Sequence, residues 1–260
     1  MTYQISDLMS KIIFITGATS GIGKAAADIF AKKGHDIIIT GRRKEKLLQL
    51  SQILKEKYKI DVLALNFDIR KRAEVKKAVN SLEGKWRKID VLLNNAGLAV
   101  GFDKIQEGNS DDWDTMIDTN IKGLLNVSHE IIPLFIENRK GHVINIGSTA
   151  GKVVYERGNV YSATKYAVDA ISKSMRIDLL SEGIKVTQVS PGAVETEFAL
   201  VRFKGDQDKA KNVYKGFKPL TANDVAQNIY YLTTLPDHVC INELEITALA
   251  QANSTYFYKE

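Results

Sequence analysis

The chain has 260 residues, 44% of them hydrophobic, with only 4 prolines and no Gly- or Ser-rich tract to mark a boundary. That is enough apolar material for one large α/β core, so a single domain over 1–260 is expected. The charge of +5 arises from 36 basic and 31 acidic residues that are interleaved. This argues against a nucleic-acid surface, and the densest basic zone, 42–59, reads as the solvated face of a helix because it also carries Glu45 and Glu56. The single cysteine, Cys240, excludes an intramolecular disulfide, and the four scattered histidines offer no metal-site spacing. No metal is expected.

The opening stretch, MTYQISDLMSK, lacks the charged-then-apolar pattern of a secretory signal, and no apolar run approaches ~18 residues. A soluble, cytoplasmic protein with no membrane partner is expected. The first short apolar run, 12–16, leads into TGATSGIG and a helical pattern over 22–33. A second run, 36–40, ends in TGRR and precedes a helix over 43–57; a third, 62–66, runs into NFDIR and a helix over 71–83. The fourth, 89–93, stops at NNAG and is followed by a long helical pattern over 111–138. The fifth, 142–146, ends at GSTAG; the helix over 160–181 follows, then a sixth run, 185–189, ending at SPGAVETEF. A helix over 221–235 and a last run, 244–247, complete the pattern. Each run has about 4–6 residues rich in Ile, Val and Leu without sustained polar alternation, which suits strands buried on both faces of a parallel sheet. Strand–helix alternation of this length implies right-handed βαβ units and a doubly wound α/β sheet.

In such a sheet ligands bind outside the carboxyl ends of the strands. Glycines 17, 21 and 23 would allow a tight turn and close backbone approach, and the next helix would aim its N-terminal N–H groups at a phosphate. Polar or Gly-rich chemistry recurs at the same edge after four inferred strands, and together these converge on a cofactor cleft. In VYSATK, Tyr161 and Lys165 stand four residues apart, one above the other on a helix face. A nearby cation favours a phenolate; a shift of ~3 units from the ordinary value near ~10 needs roughly 4 kcal/mol.

Taken with their order and spacing, TGATSGIG, NNAG, Ser148, YxxxK and PG resemble the short-chain dehydrogenase/reductase family over essentially the whole chain. The resemblance implies a Rossmann-like sheet of seven strands flanked by helices, a nicotinamide cofactor, and hydride transfer between an alcohol and a carbonyl. It implies that Tyr161 exchanges the substrate hydroxyl proton and that Lys165 lowers the phenol's pKa and holds the nicotinamide ribose. Ser148 is similar to the family serine that hydrogen-bonds the substrate oxygen. Asn120, in MIDTNIKG, is similar to the asparagine that kinks the long helix and orders a water leading from the lysine to solvent.

The cofactor residues implied in the first turn are Gly17, Thr19, Ser20, Gly21, Ile22 and Gly23. Further along they are Asp68 and Ile69 at the adenine, Asn94, Asn95 and Gly97 beside the cleft, and Pro191, Gly192, Val194 and Thr196 near the nicotinamide and phosphates. An NAD enzyme places an acid at the end of the second strand. Here Arg42 and Arg43 stand there, two guanidiniums suited to a 2′-phosphate, and NADP is the expected cofactor.

Residues 194–214 and 219–232 resemble the NADP-dependent 3-hydroxy acid dehydrogenases, which act on serine, allo-threonine and 3-hydroxyisobutyrate-like acids. A 3-oxoacyl-thioester reductase or a general carbonyl reductase of the same family, and a non-catalytic NADP-binding sensor, are the rival readings. A 3-hydroxy acid requires a cation near the cleft. Arg202 and Arg157 go ahead of Lys204 because Arg suits a bidentate carboxylate contact, and Arg202, in a lid around 195–218, is the first candidate because its segment carries the resemblance. The bulky charged pair Glu156 and Arg157 stands just before the catalytic helix, where relatives often have smaller residues. Family members commonly pair their two long helices across two-fold axes, so a homotetramer is expected.

Overall fold

A computed structural model describes residues 10–260. The stretch 1–9, which carries most of the segment read above for a targeting signal, lies outside the described residues. Among the described residues, nine strands and nine α-helices follow in chain order: β1 Ile12–Ile15, α1 Gly21–Lys32, β2 Asp36–Gly41, α2 Lys44–Tyr58, β3 Val62–Asn66 and α3 Arg72–Asn80. The second half brings β4 Val91–Asn94, α4 Ser110–Ile117, α5 Leu124–Asn138, β5 His142–Ile146, α6 Asn159–Asp178 and β6 Lys185–Pro191. The C-terminal part holds β7 Val194–Glu195, α7 Glu197–Arg202, α8 Gln207–Asn212, β8 Leu220–Thr221, α9 Ala222–Leu232 and β9 Glu243–Ile246.

Seven strands form one parallel sheet in the order β3-β2-β1-β4-β5-β6-β9, and β7 pairs with β8 in a small parallel ribbon. The period of two along β1 explains the two cores. Ile13 and Ile15 point to one face, where they pack with Ala26 and Phe30 of α1, Leu47 and Leu50 of α2, and Val225 and Ile229 of α9. Ile12 and Phe14 point to the other, with Val75 of α3, Val127 and Ile131 of α5, and Val168 and Met175 of α6. With helices on both faces, the central strands have no solvated side, hence their unbroken apolar runs. β9 lies at the sheet's edge and alternates exposed and half-buried residues.

The expected helix over 111–138 is not continuous. Asp118–Gly123 forms a π-helical turn between α4 and α5, an irregularity found often at functional positions. Asn120 sits inside it and is buried. A Cβ at Gly123 would lie 2.5 Å from Ile69 Cδ1, so a larger residue there would have to push that side chain aside. The sheet order reverses between β1 and β4. At that switch point the carboxyl ends of both strands open a crevice, the place where such sheets take their ligands.

Candidate active site

A cleft of about 360 Å³ runs along this edge, from Arg42 and Asp68 at one end to Ser148, Tyr161 and Phe198 at the other. Its floor is the Gly-rich turn. Gly17 and Gly21 adopt φ of +67° and +51°, left-handed values that other residues rarely hold. Gly17, Thr19, Ser20, Gly21 and Ile22 all line the cleft. Gly23 does not. A Cβ there would sit 2.4 Å from Asn95 Nδ2 and 2.5 Å from the Gly17 carbonyl oxygen, so its role is to let the turn close. Asn95 Nδ2 in turn donates to the carbonyls of Thr16 at 2.9 Å and Gly17 at 3.2 Å.

The neighbouring asparagine corrects the reading of the NNAG motif. Asn94 is 5% exposed and donates to Ser128 Oγ and Asn145 Oδ1, both at 2.9 Å. Successive strand residues face opposite sides, so Asn95 reaches the turn while the Asn94 side chain is committed to the core. Gly97 lies where a Cβ would come 3.2 Å from Asn120 Oδ1 and 3.6 Å from Lys165 Nζ.

At the far end of the cleft, Arg42 is exposed. Arg43 is engaged: Nε and Nη2 donate to Thr19 Oγ1 at 3.1 and 2.9 Å, and Nη1 to Glu197 Oε2 at 2.8 Å. The two arginines, read alike from the sequence, therefore differ. Asp68 lines the cleft together with Ile69, and Arg70 grips its carboxylate at 2.6 Å. Burial pushes the Asp68 carboxyl up, but the Arg70 hydrogen bonds and the nearby Arg42 charge outweigh it and hold the group below the usual carboxylate range.

The reacting end is built on α6 and the β5 terminus. Ser148 caps a short 3₁₀ turn, its Oγ accepting from Ala150 N at 3.1 Å. Tyr161 and Lys165 sit in the first two turns of α6, 9% and 6% exposed. Lys165 Nζ donates to the Ile146 carbonyl at 2.9 Å and lies 5.9 Å from the Tyr161 ring centre. Burial pushes the Lys165 ammonium down to about 8. Burial also drives the Tyr161 phenol well above the ordinary tyrosine range; Tyr155 adds to the rise, and Ser148 and Arg202 pull against it. The expectation that Lys165 depresses the phenol is thus not met by the pair alone, because desolvation outweighs any attraction and the ammonium is turned to a backbone carbonyl. Asn120 Oδ1 accepts from Leu98 N at 2.9 Å, and its Nδ2 donates to Leu98 O at 2.8 Å and Thr164 Oγ1 at 3.0 Å. Its amide pins the loop after β4 to α6, and both its hydrogens are used.

Segment 191–202 closes the other wall. Pro191, Gly192, Val194 and Thr196 line the cleft, and Thr196 caps α7 by accepting from Phe198 N at 3.2 Å. Phe198 stacks edge-on against Tyr161, with ring centres 5.6 Å apart. Arg202, at the end of α7, borders a smaller recess that Tyr161 also lines. Its guanidinium carbon lies 4.6 Å from the Phe102 ring centre, 5.1 Å from Tyr155 and 5.7 Å from Tyr161. Arg202 Nε and the Tyr155 hydroxyl are both buried without a hydrogen-bond partner among the described residues. Lys204 is engaged by Asp112 at 2.7 Å. Arg157 stands 5.8 Å from the Phe102 ring, and the Glu156 side chain is 77% exposed. Tyr155, Phe102, Phe198 and Glu197 are the residues that sequence reasoning passed over. Tyr155, six positions before Tyr161 and next to the flagged Glu156, carried the nearest thing to a signal.

Among the described residues no group of three or more His, Cys, Asp or Glu could hold a metal ion, and no helix is long and apolar enough to cross a membrane.

The short chain dehydrogenase family signature matches residues 11–206. The chain belongs to that family. It is 44% identical over 242 residues to an NADP-dependent 3-hydroxy acid dehydrogenase of Salmonella typhi, covering 93% of this chain and 96% of that one. It is 44% identical over 249 residues to sulfoacetaldehyde reductase 2 of Chromohalobacter salexigens, covering 95% and 98%. Among solved structures, the closed form of serine dehydrogenase complexed with NADP+ superposes with a TM-score of 0.89 at 42% identity, covering 96% of this chain and 99% of the other.

Proposed function

We propose that this chain is an NADP-dependent dehydrogenase that oxidises the C3 hydroxyl of a small 3-hydroxy acid such as serine, allo-threonine or 3-hydroxyisobutyrate. The observation that carries this reading is Arg202: a guanidinium boxed by Phe102, Tyr155 and Tyr161, with Nε buried and unpartnered beside the phenol. A half-buried cation whose Nε is dry and unpaired calls for an anion, and a carboxylate matches its fork. Lys204 cannot serve while Asp112 holds it.

The cofactor side fits the dinucleotide. The turn has glycines where side chains would obstruct, and Arg42 offers a free cation near the cleft end. Thr19, Ser20 and Ile22 would hold the pyrophosphate, Asp68 and Ile69 the adenine, Asn95 and Gly97 the neighbouring wall, and Val194 and Thr196 the nicotinamide end. When bound, NADP+ supplies the hydride acceptor. The protein's own groups handle the proton. Tyr161 takes it from the C3 hydroxyl, Ser148 donates to the substrate oxygen, and Lys165, still largely charged at pH 7 with its value near 8, would hold the ribose and add its charge to the pull of Ser148 and Arg202 on the phenol. Asn120 positions α6 against the loop after β4 and would lie on the proton's way out. Segment 195–218 acts as the lid.

The proposal includes a cytoplasmic homotetramer. Leu125 and Ile136 on α5 and Tyr166 and Ile177 on α6 stand exposed, an apolar surface that helix pairing between copies would cover.

The test is NADP+ reduction measured across 3-hydroxy acids, uncharged secondary alcohols and acyl thioesters. Turnover of 3-hydroxy acids well above uncharged alcohols is expected; activity confined to thioesters would overturn the reading. A short aldehyde bearing a sulfonate is a second candidate, since Arg202 pairs with a sulfonate as readily as with a carboxylate and the relative named for sulfoacetaldehyde is 44% identical.

A further inference from the structure

The sequence places two arginines at the end of β2, and the structure adds an anion that sequence distance hides. Glu197, the first residue of α7, reaches across the cleft to Arg43 at 2.8 Å and to Lys46 at 3.6 Å. It lines the same space as Thr19, Arg42 and Arg43. Arg43 therefore spends Nε and Nη2 on Thr19 and Nη1 on Glu197, and offers an incoming anion only its remaining N–H bonds. Arg42 has no ion-pair partner among the described residues. Three cations thus face this corner; Glu197 pairs with two of them, while Asp68, held by Arg70, lies near Arg42.

We propose that Glu197 sets the strength and selectivity of the 2′-phosphate site: it occupies Arg43 in the phosphate's place and opposes the phosphate's charge. The proposal rests on the NADP reading above. A phosphate monoester carries a charge of about −1.5 to −2 at pH 7, so a carboxylate sharing its guanidinium raises its free energy, whereas a ribose hydroxyl is nearly indifferent. Glu197 is ionised under these conditions, since the Arg43 hydrogen bond holds its carboxyl below the usual range. The pair is also half-exposed, with side chains 40% and 46% accessible. Such a pair is weak, which lets it yield to a phosphate without gating it. The cations recruit NADP, and Glu197 keeps the complex from becoming too tight to turn over.

The fragments 2′,5′-ADP and 5′-AMP test this, because neither reaches the nicotinamide end. Their dissociation constants are measured by calorimetry on the intact protein and on Glu197→Gln, which loses the charge but keeps the shape at an exposed position. The variant is expected to bind 2′,5′-ADP about 3- to 10-fold more tightly, with 5′-AMP changed by less than about twofold. Added salt should shrink the gain. Unchanged or weaker binding of 2′,5′-ADP would overturn the proposal, leaving the pair as a fastening for α7. Equal tightening of both fragments would also overturn it, because the effect would not belong to the 2′-phosphate. If the unaltered protein bound both fragments equally, the NADP reading itself would fall, and this proposal with it.

Discussion

Two edges of one sheet bury ionisable groups in this protein, and only one edge is built for chemistry. At the amino ends of the strands, His35 is 1% exposed and accepts from Lys11 N at 3.1 Å, while His142 is 7% exposed and meets Thr187 Oγ1 at 2.8 Å. Asp90 accepts from Ile12 N at 2.8 Å and pairs with Lys140 at 2.9 Å. Burial pushes His35 down to about 4 and His142 down to about 3, with neighbouring lysines adding to both. At the carboxyl ends, burial displaces Tyr161 and Lys165 in the same manner. The shifts have one cause, desolvation. What separates the edges is space: Tyr161, Lys165 and Ser148 converge on a cleft of about 360 Å³, whereas the histidines are sealed by the β-sheet and its helices. A displaced pKa marks a dry place, and a cavity with converging donors marks a site.

The sharpest way to break this comparison is Tyr161→Phe. Loss of the ionisable oxygen should cut kcat by about 10²- to 10⁴-fold, with cofactor affinity and the unfolding midpoint little changed. A kcat within about tenfold of the parent protein would remove the phenol from its role.

The second test is Lys165→Met. The buried ammonium is disfavoured, its pKa falling from 10.5 to about 8, so at pH 7 it costs the fold on the order of 1–3 kcal/mol. The variant should lose cofactor affinity yet unfold at a higher denaturant concentration. The opposite shift in midpoint would show that the bond to the Ile146 carbonyl matters more than desolvation.

At the other edge, His142→Gln should leave kcat near the parent value and change the acid limb of stability. A histidine depressed from 6.5 to about 3 binds a proton more readily when unfolded. Its contribution is therefore complete above pH 6.5 and is lost progressively as pH falls toward 3. That loss amounts to roughly 2 kcal/mol between pH 6.5 and 5. Denaturant melts at these two pH values should show a smaller difference in the variant.

The smallest effect belongs to Arg202→Ala. It should raise KM for a 3-hydroxy acid by about tenfold, equivalent to ~1.4 kcal/mol, while leaving KM for an uncharged alcohol nearly unchanged. Equal losses on both substrates would make Arg202 a lid-folding residue.

Much of the fold was legible because its signals are local. An unbroken apolar run such as 142–146 must be covered on both faces, and alternation with helical segments leaves little beyond a parallel doubly wound sheet. The seven runs, the glycine turn and the Tyr161/Lys165 spacing all stand where the sequence implies. Asn120 falls in a helix irregularity, although the sequence alone showed one helix over 111–138 and the structure shows a π turn within it.

Other features depended on contacts between distant residues. Asn94 and Asn95 are chemically identical neighbours, and only the strand's facing decides that the first serves the core and the second the turn. Arg42 and Arg43 look interchangeable until Glu197, 154 positions beyond Arg43, takes one of them. Lys204 and Arg202 are two residues apart, yet Asp112 neutralises one while an aromatic box isolates the other. Sequence by itself determined the elements, their order and the chemistry carried at one sheet edge, because periodicity and turn residues act over a few bonds. The tertiary structure alone decided which charges remain free and which side chains are dry, because both depend on what the rest of the chain brings within a few ångströms.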